Sequence, residues 1–256
     1  MRNICVIPAR LGSSRYPGKP LAALLGIPLV LHVWHRCCLS REFERVVVAT
    51  CDAEIADAVT AAGGEAVMTS RSHERATDRT QEAVEKMRLD LSSEDFVLMV
   101  QGDEVLVNPE MTDRMVGIYK DTRPDVVNLV SRLYRPEDQD DPNTVKVVAA
   151  PNGNALYFSR APIPSRARSK SSAAYQQTGV IGFSWEFLKK FSTLPQTPLE
   201  IAESVDMLRV LEHGFPLKLV FTDVETIGVD TPEDLSRAEV VLSTDEFTAS
   251  YLETAR

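Results

Sequence analysis

Three cations, Arg10, Arg15 and Lys19, stand close together in the segment P-A-R-L-G-S-S-R-Y-P-G-K-P-L that begins at Pro8. Small residues separate them: Gly12, Ser13, Ser14 and Gly18, with Ala9 just ahead. Glycine lets a backbone approach a ligand closely, and free N–H groups in such a loop can cradle anionic oxygens. Cationic side chains at this spacing can reach several oxygens of one polyphosphate. The segment follows a short apolar run, Ile4–Ile7, that reads as a buried first strand. Open α/β sheets bind ligands beyond the carboxyl ends of their strands, so the loop reads as a nucleoside triphosphate site. It is not a Walker A sequence, and taken alone it also reads as a solvated basic turn.

Two carboxylates supply the complementary chemistry. Gln101-Gly102-Asp103-Glu104 follows directly on the apolar run Phe96–Val100, and Thr226-Ile227-Gly228-Val229-Asp230 ends in a second acid at a similar junction. Acids beside a triphosphate repel it unless a cation intervenes. Mg²⁺ suits the gap, because it takes one or two protein carboxylates together with phosphate oxygens and water. Asp103 and Asp230 are therefore the expected metal ligands. The competing readings are a helix N-terminal charge for Asp230 and an Asp-containing turn for Gln101 and Asp103.

The elements that must position these groups alternate between strand and helix in the first half. Strands are expected at Ile4–Ile7, Arg45–Ala49, Glu65–Met68 and Phe96–Val100. Helices are expected over Pro28–Leu39, with Pro28 in the first turn, and over Ala53–Ala62, ending at Gly63-Gly64. Another runs from an N-cap at Thr77 to about Leu89, and one starts at Asn108-Pro109. This order predicts an α/β fold with a mostly parallel sheet covered on both faces. The middle reads as further strands at Asp125–Leu133, Val145–Ala149, Ala155–Phe158 and Val180–Phe183, taken as an inserted antiparallel lobe. Arg135–Pro142 and Pro162–Ala174 read as irregular, the second as a mobile basic loop containing Lys170. A capping box at Thr197-Pro198-Leu199-Glu200 predicts one helix to about His213, followed by a strand at Lys218–Phe221. Thr231-Pro232 opens a last helix, and the tail beyond Asp245 is expected to fray.

Composition narrows the function classes. The 256 residues, 44% apolar and 25% charged, are enough for one domain with a full core. A net charge of −9 argues against nucleic acid or an anionic membrane as partner. No run of apolar residues is long enough to span a bilayer. The cysteines Cys5, Cys37, Cys38 and Cys51 form no C-x-x-C or zinc spacing, so a cytoplasmic protein with reduced thiols is expected. The histidines His32, His35, His73 and His213 form no triad and read as structural.

The loop, the strand-end acid and the terminal G-V-D-T-P-E-D-L from Gly228 occur together with several other pieces. These are V-V-V-A-T from Val46, A-A-G-G-E from Ala61, A-T-D-R from Ala76 and V-Q-G-D-E from Val100. D-P-N-T-V-K-V-V from Asp141, A-L-Y-F-S-R-A-P-I-P from Ala155 and L-R-V-L from Leu208 complete them. In this order they resemble the CMP-Kdo synthetases, the 3-deoxy-manno-octulosonate cytidylyltransferases. The resemblance implies a Rossmann-like sheet of the nucleotide-diphospho-sugar transferase type. It also implies one domain over residues 1–256, with an acceptor and dimerisation lobe at about 125–190, and a homodimer. The implied reaction couples CTP to a 2-keto-3-deoxy sugar acid. Arg10, Arg15 and Lys19, with Ser14, would hold the triphosphate, and Mg²⁺ would sit on Asp103 and Asp230. Ala9, Thr77, Asp78 and Arg79 would lie near the cytidine, and Gln101 and Arg160 near the acceptor. For Arg160 a structural ion pair is an equal alternative. Gln177 and Ile181 stand where the family usually has histidine and tyrosine, and Arg75-Ala76 where it has Ser-Gly. Glu200, Glu203 and Asp206, spaced three apart, could present one acidic helix face to the acceptor. The acceptor is therefore Kdo or another acid, such as an amino-Kdo, another ulosonate or a phosphonate.

Overall fold

The computed structural model describes residues 1–12, 15–168 and 173–255. Strand β1 (Asn3–Ala9) runs at the centre of the sheet, because both of its faces are apolar. Cys5 and Ile7 pack into one core layer and Ile4 and Val6 into the other. The same two-sided burial marks β6 (Phe96–Val100), which lies beside β1, as expected for parallel strands covered by helices.

The chain adds a two-stranded hairpin, β2 (Ala23–Leu24) with β3 (Ile27–Pro28), ahead of α1 (Leu29–Cys38). Pro28 is the N-cap of α1 in an extended conformation, not a first-turn residue, because it is still paired to Ala23. Next come β4 (Arg45–Thr50), α2 (Ala53–Ala61), β5 (Glu65–Met68) and α3 (Ala76–Lys86). Arg75 rather than Thr77 is the N-cap of α3. After β6, Asn108 Oδ1 accepts from Met111 N and caps α4 (Pro109–Thr122), as the sequence predicts.

The second half contains β7 (Val126–Arg132), α5 (Pro136–Asp140), β8 (Lys146–Ala149), β9 (Ala155–Ser159) and β10 (Tyr175–Ser184). It continues with α6 (Trp185–Thr193), α7 (Pro198–Glu203), α8 (Met207–Glu212), β11 (Lys218–Thr222), α9 (Pro232–Leu242) and α10 (Glu246–Ala255). The main sheet runs β11-β7-β10-β6-β1-β4-β5. Neighbours are parallel except β10, which is antiparallel to both β6 and β7. The expected antiparallel insertion is thus built into the sheet through β10, and only β8 and β9 project from it. Lys170 lies outside the described residues.

Four further expectations change. Arg135–Pro142 contains the short helix α5. Trp185–Thr193, which no motif marks, is a helix capped by Ser184 Oγ accepting from Phe187 N. The predicted helix from Pro198 to His213 is two helices, broken where Ser204 takes a left-handed conformation at φ 51°. The tail does not fray into solvent. Asp245 caps α10 by accepting from Thr248 N at 2.7 Å and pairs with the buried Arg36 at 2.6 Å. Tyr251 stacks on His35 with ring centroids 4.8 Å apart. Its hydroxyl lies 2.7 Å from Nδ1 of the buried His32, whose Nε2 faces Leu24 O.

Candidate active site

A cavity of about 920 Å³ opens beyond the carboxyl ends of β1 and β6 and the amino end of β10. The strand ends meet closely there. Gly102 N donates to Pro8 O, and a Cβ on Gly102 would come within 3.2 Å of Pro8 O and of Ala9 Cβ. Gly179 of β10 lies against Gln101, and a Cβ there would meet the Gln101 side chain at 2.8 Å. Glycine is the residue that allows such backbone approach.

The two acids predicted from the sequence come together. Val229 N donates to Asp103 O at 3.1 Å, and Glu104 and Gly228 form an isolated bridge, so the segment before α9 docks on the end of β6. Asp230 is left free of capping duty, because Thr231 and Asp234 form the capping box of α9. Lys19 Nζ then lies 2.7 Å from Asp103 Oδ2 and 3.1 Å from Asp230 Oδ1. Arg15 Nη2 reaches the other oxygen of Asp230 at 2.9 Å, and its Nη1 donates to Asn143 Oδ1. Burial alone would lower the pKa of Lys19, but Asp103 and Asp230 outweigh it and hold the pKa above its usual value. Lys19 is therefore a charged ammonium at pH 7. The pKa of Glu104 beside them is raised to about 7, chiefly by burial and in addition by Asp103 and Asp230, while it accepts from Gly179 N. In the sequence Glu104 stands out only as the neighbour of Asp103.

Among the described residues no group of three or more His, Cys, Asp or Glu side chains could hold a metal ion. The donor set is two carboxylates already arranged around one positive charge. That fits an ion which takes its remaining ligands from phosphate and water.

Ala9, Arg10, Thr77, Arg79, Gln101 and Gln177 all line the cavity. Thr77 Oγ1 is buried there without a hydrogen-bond partner, a group available to a ligand. Arg79 also has a structural use. Its guanidinium donates to Thr69 Oγ1, Ser70 O and His73 O, folding the turn ahead of α3. Asp78 does not line the cavity, and Ser14 lies outside the described residues.

The acceptor-side expectations need correction. Glu200 is fully buried, paired through both oxygens with Arg209 at 2.5 and 2.8 Å, and does not reach the cavity. Glu203 turns to Ser159 Oγ, Tyr157 Oη and Arg160 N. Of the three acids expected on one helix face, only Asp206 lines the cavity, because the break at Ser204 ends the common face. Asp206 is mostly buried, which raises its pKa, and pairs with Arg75 at 2.9 Å. Arg160 lines the cavity, but its nitrogens donate to Glu203 O, Pro142 O and Ser204 O. Among the described residues it braces the wall through carbonyls and forms no ion pair. Lys146, fully buried, does the same from behind by donating to Asp141 O, Thr144 O and Arg160 O. Gln177 Nε2 donates to Asn128 Oδ1, and Ile181, Met99 and Met207 are apolar members of the lining.

A cation-lined loop and paired strand-end acids beyond the carboxyl ends of a mostly parallel sheet make an α/β site suited to a phosphate-bearing ligand. The cytidylyltransferase family model matches residues 4–227, and the chain belongs to that family. It is 42% identical over 253 residues to a 3-deoxy-manno-octulosonate cytidylyltransferase of Thermodesulfovibrio yellowstonii, covering 95% of this chain and 99% of that protein. A protein of the same name from Chlorobium limicola is 45% identical over 240 residues, covering 92% of this chain and 95% of its own. A solved structure of CMP:2-keto-3-deoxy-manno-octonic acid synthetase complexed with CTP superposes with a TM-score of 0.86 at 34% identity. It covers 95% of this chain and 99% of that one.

Proposed function

We propose that this cytidylyltransferase couples CTP to a 2-keto-3-deoxy sugar acid, Kdo or a close analogue, giving a CMP-sugar and pyrophosphate. The observation that carries the proposal is the Lys19 ammonium held between Asp103 and Asp230 at the mouth of a cation-lined loop. The anomeric hydroxyl oxygen of the acceptor forms a bond to the α-phosphorus. The bond between that phosphorus and the α,β-bridging oxygen breaks, pyrophosphate leaves, and the hydroxyl proton passes to solvent. Arg10, Arg15 and Lys19 hold the triphosphate, and Lys19 balances charge that builds on the leaving group. Asp103 and Asp230 would hold Mg²⁺, which would supply charge neutralisation for the transferred phosphoryl group. Thr77 and the backbone near Ala9 face the nucleoside, and Gln101 and Gln177 face the acceptor.

A second reading keeps this chemistry and changes the acceptor to another acid, such as an amino-Kdo, another ulosonate or a phosphonate. It is favoured by the apolar Ile181 and Met207 and by the engagement of the Gln177 amide with Asn128. A site that hydrogen-bonds a hydroxyl discriminates strongly through that contact, and this wall offers fewer such groups. The proposal extends to a homodimer in the cytoplasm. The test is pyrophosphate release from CTP and Mg²⁺ with Kdo and a panel of acidic sugars and phosphonates. Release with Kdo supports the first reading, release only with another acid supports the second, and no release with any acid overturns both.

A further inference from the structure

The carboxylate pair at the cavity is closed by a cation from the chain itself. Of its four oxygens, Asp103 Oδ2 and Asp230 Oδ1 contact Lys19 Nζ, and Asp230 Oδ2 contacts Arg15 Nη2. Two carboxylates facing one space repel each other unless a positive charge lies between them. The Lys19 side chain is 11% exposed and enters from the start of a short 3₁₀ turn, Lys19–Leu21, so its stem is held by packing. An ammonium is a compact point charge with three donors, close in role to a small metal ion. A divalent ion needs the same oxygens at about 2.0–2.1 Å, which leaves no room for an ammonium between them.

Resting on the reading of Asp103 and Asp230 as metal ligands, we infer that Lys19 is an internal stand-in cation. It occupies the carboxylate pair in the nucleotide-free protein, so a divalent ion binds the pair tightly only together with the triphosphate. Without nucleotide, metal entry would expel a tethered ammonium into a partly buried position with its two partners lost. With nucleotide, the β- and γ-phosphate oxygens offer Lys19 and Arg15 new acceptors, and the acids are released to the metal. Binding of the triphosphate and of the metal is therefore positively coupled through one side chain. Lys19 changes partner during loading, and the charge at the site stays balanced in both states.

The test reads metal binding, not turnover. Mn²⁺ is titrated by calorimetry into nucleotide-free wild type, Lys19→Met, Lys19→Arg and the double variant Lys19→Met/Asp103→Asn. It is also titrated into wild type saturated with CTP and no acceptor, corrected for Mn²⁺ taken up by free CTP. Removing a unit charge at contact distance from both acids is expected to tighten nucleotide-free Mn²⁺ binding about 10-fold or more in Lys19→Met. That gain should disappear in the double variant and be absent in Lys19→Arg, which keeps the charge. Thermal unfolding gives a second readout that also reports whether each variant is folded. Mn²⁺ should raise the melting temperature of Lys19→Met and leave nucleotide-free wild type unchanged. Equal, tight Mn²⁺ binding by nucleotide-free wild type and Lys19→Met overturns the stand-in role while leaving the metal assignment in place. Failure of the CTP-saturated protein to bind Mn²⁺ beyond the nucleotide's own share overturns the metal assignment and the inference with it.

Discussion

Glu200→Gln separates a structural acid from a substrate-binding one. Glu200 and Arg209 form a buried bidentate pair, with side chains 0% and 7% exposed. The guanidinium also lies 4.5 Å from the centre of the Phe191 ring, and one Glu200 oxygen accepts from Thr197 N in the α7 capping box. Replacing one partner of a buried ion pair leaves the other charge uncompensated and costs about 3–5 kcal/mol. Glutamine keeps the shape and one acceptor, which places the expected loss near the lower figure. For a domain of this size about 1 kcal/mol moves the melting temperature by roughly 2–4 °C, so a fall of roughly 6–12 °C is expected. Denaturant unfolding at pH 7 measures the loss, and steady-state kinetics well below the transition measure KM for the acceptor. KM should stay within about twofold of wild type, since the group does not reach the cavity. An unchanged melting temperature together with a much larger acceptor KM would refute the structural role and restore Glu200 to the acceptor face.

Asp103→Asn and Asp230→Asn should each lower kcat by about 100-fold or more, with circular dichroism unchanged, and full activity in either removes that acid from the proposed metal site. Arg160→Met should raise the acceptor KM more than the CTP KM, because its carbonyl contacts brace the wall formed by Pro142, Glu203 and Ser204. Equal effects on both constants would argue for general disorder of the site. Burial lowers the pKa of His32 from 6.5 to about 4. Between these values the unfolded chain takes up a proton that the folded chain excludes, so stability is full above pH 6.5 and falls as the pH drops towards 4. The size of that loss is about 3 kcal/mol, and denaturation of His32→Asn should show a correspondingly flatter pH profile.

The strands of the first half and the caps at Asn108 and Thr231 were legible because each depends on neighbours in sequence. Asp103 and Asp230 were legible as chemistry because acids at strand ends have a narrow set of uses, and the loop cations supplied the counter-charge. The break at Ser204 was hidden. Nothing in P-L-E-I-A-E-S-V-D-M-L-R forbids one continuous helix, and the left-handed turn is set by how α7 and α8 pack. That one residue decides which acid of the three reaches the cavity. Helix α6 was missed because its signal is a lone Ser184 cap after a long strand. The C-terminal helix was missed because its anchor is tertiary: Arg36, His32 and His35 lie on α1, more than 200 residues earlier in the chain. Arg160 shows the limit from the other side, since nothing local in the sequence reveals that its side-chain partners are the carbonyls of Glu203, Pro142 and Ser204.

The segment carrying Asp230 meets the residues after β6 through a bridge to Glu104 and a bond to Asp103 O. Lys19 and Asp230 are 211 positions apart in the chain. A ribosome must therefore complete most of the polypeptide before the acids can face one another. A partly made chain can display the loop of Arg10, Arg15 and Lys19 but cannot assemble the carboxylate pair. On the proposed reading, turnover would report that the segment carrying Asp230, close to the end of the 256 residues, has docked.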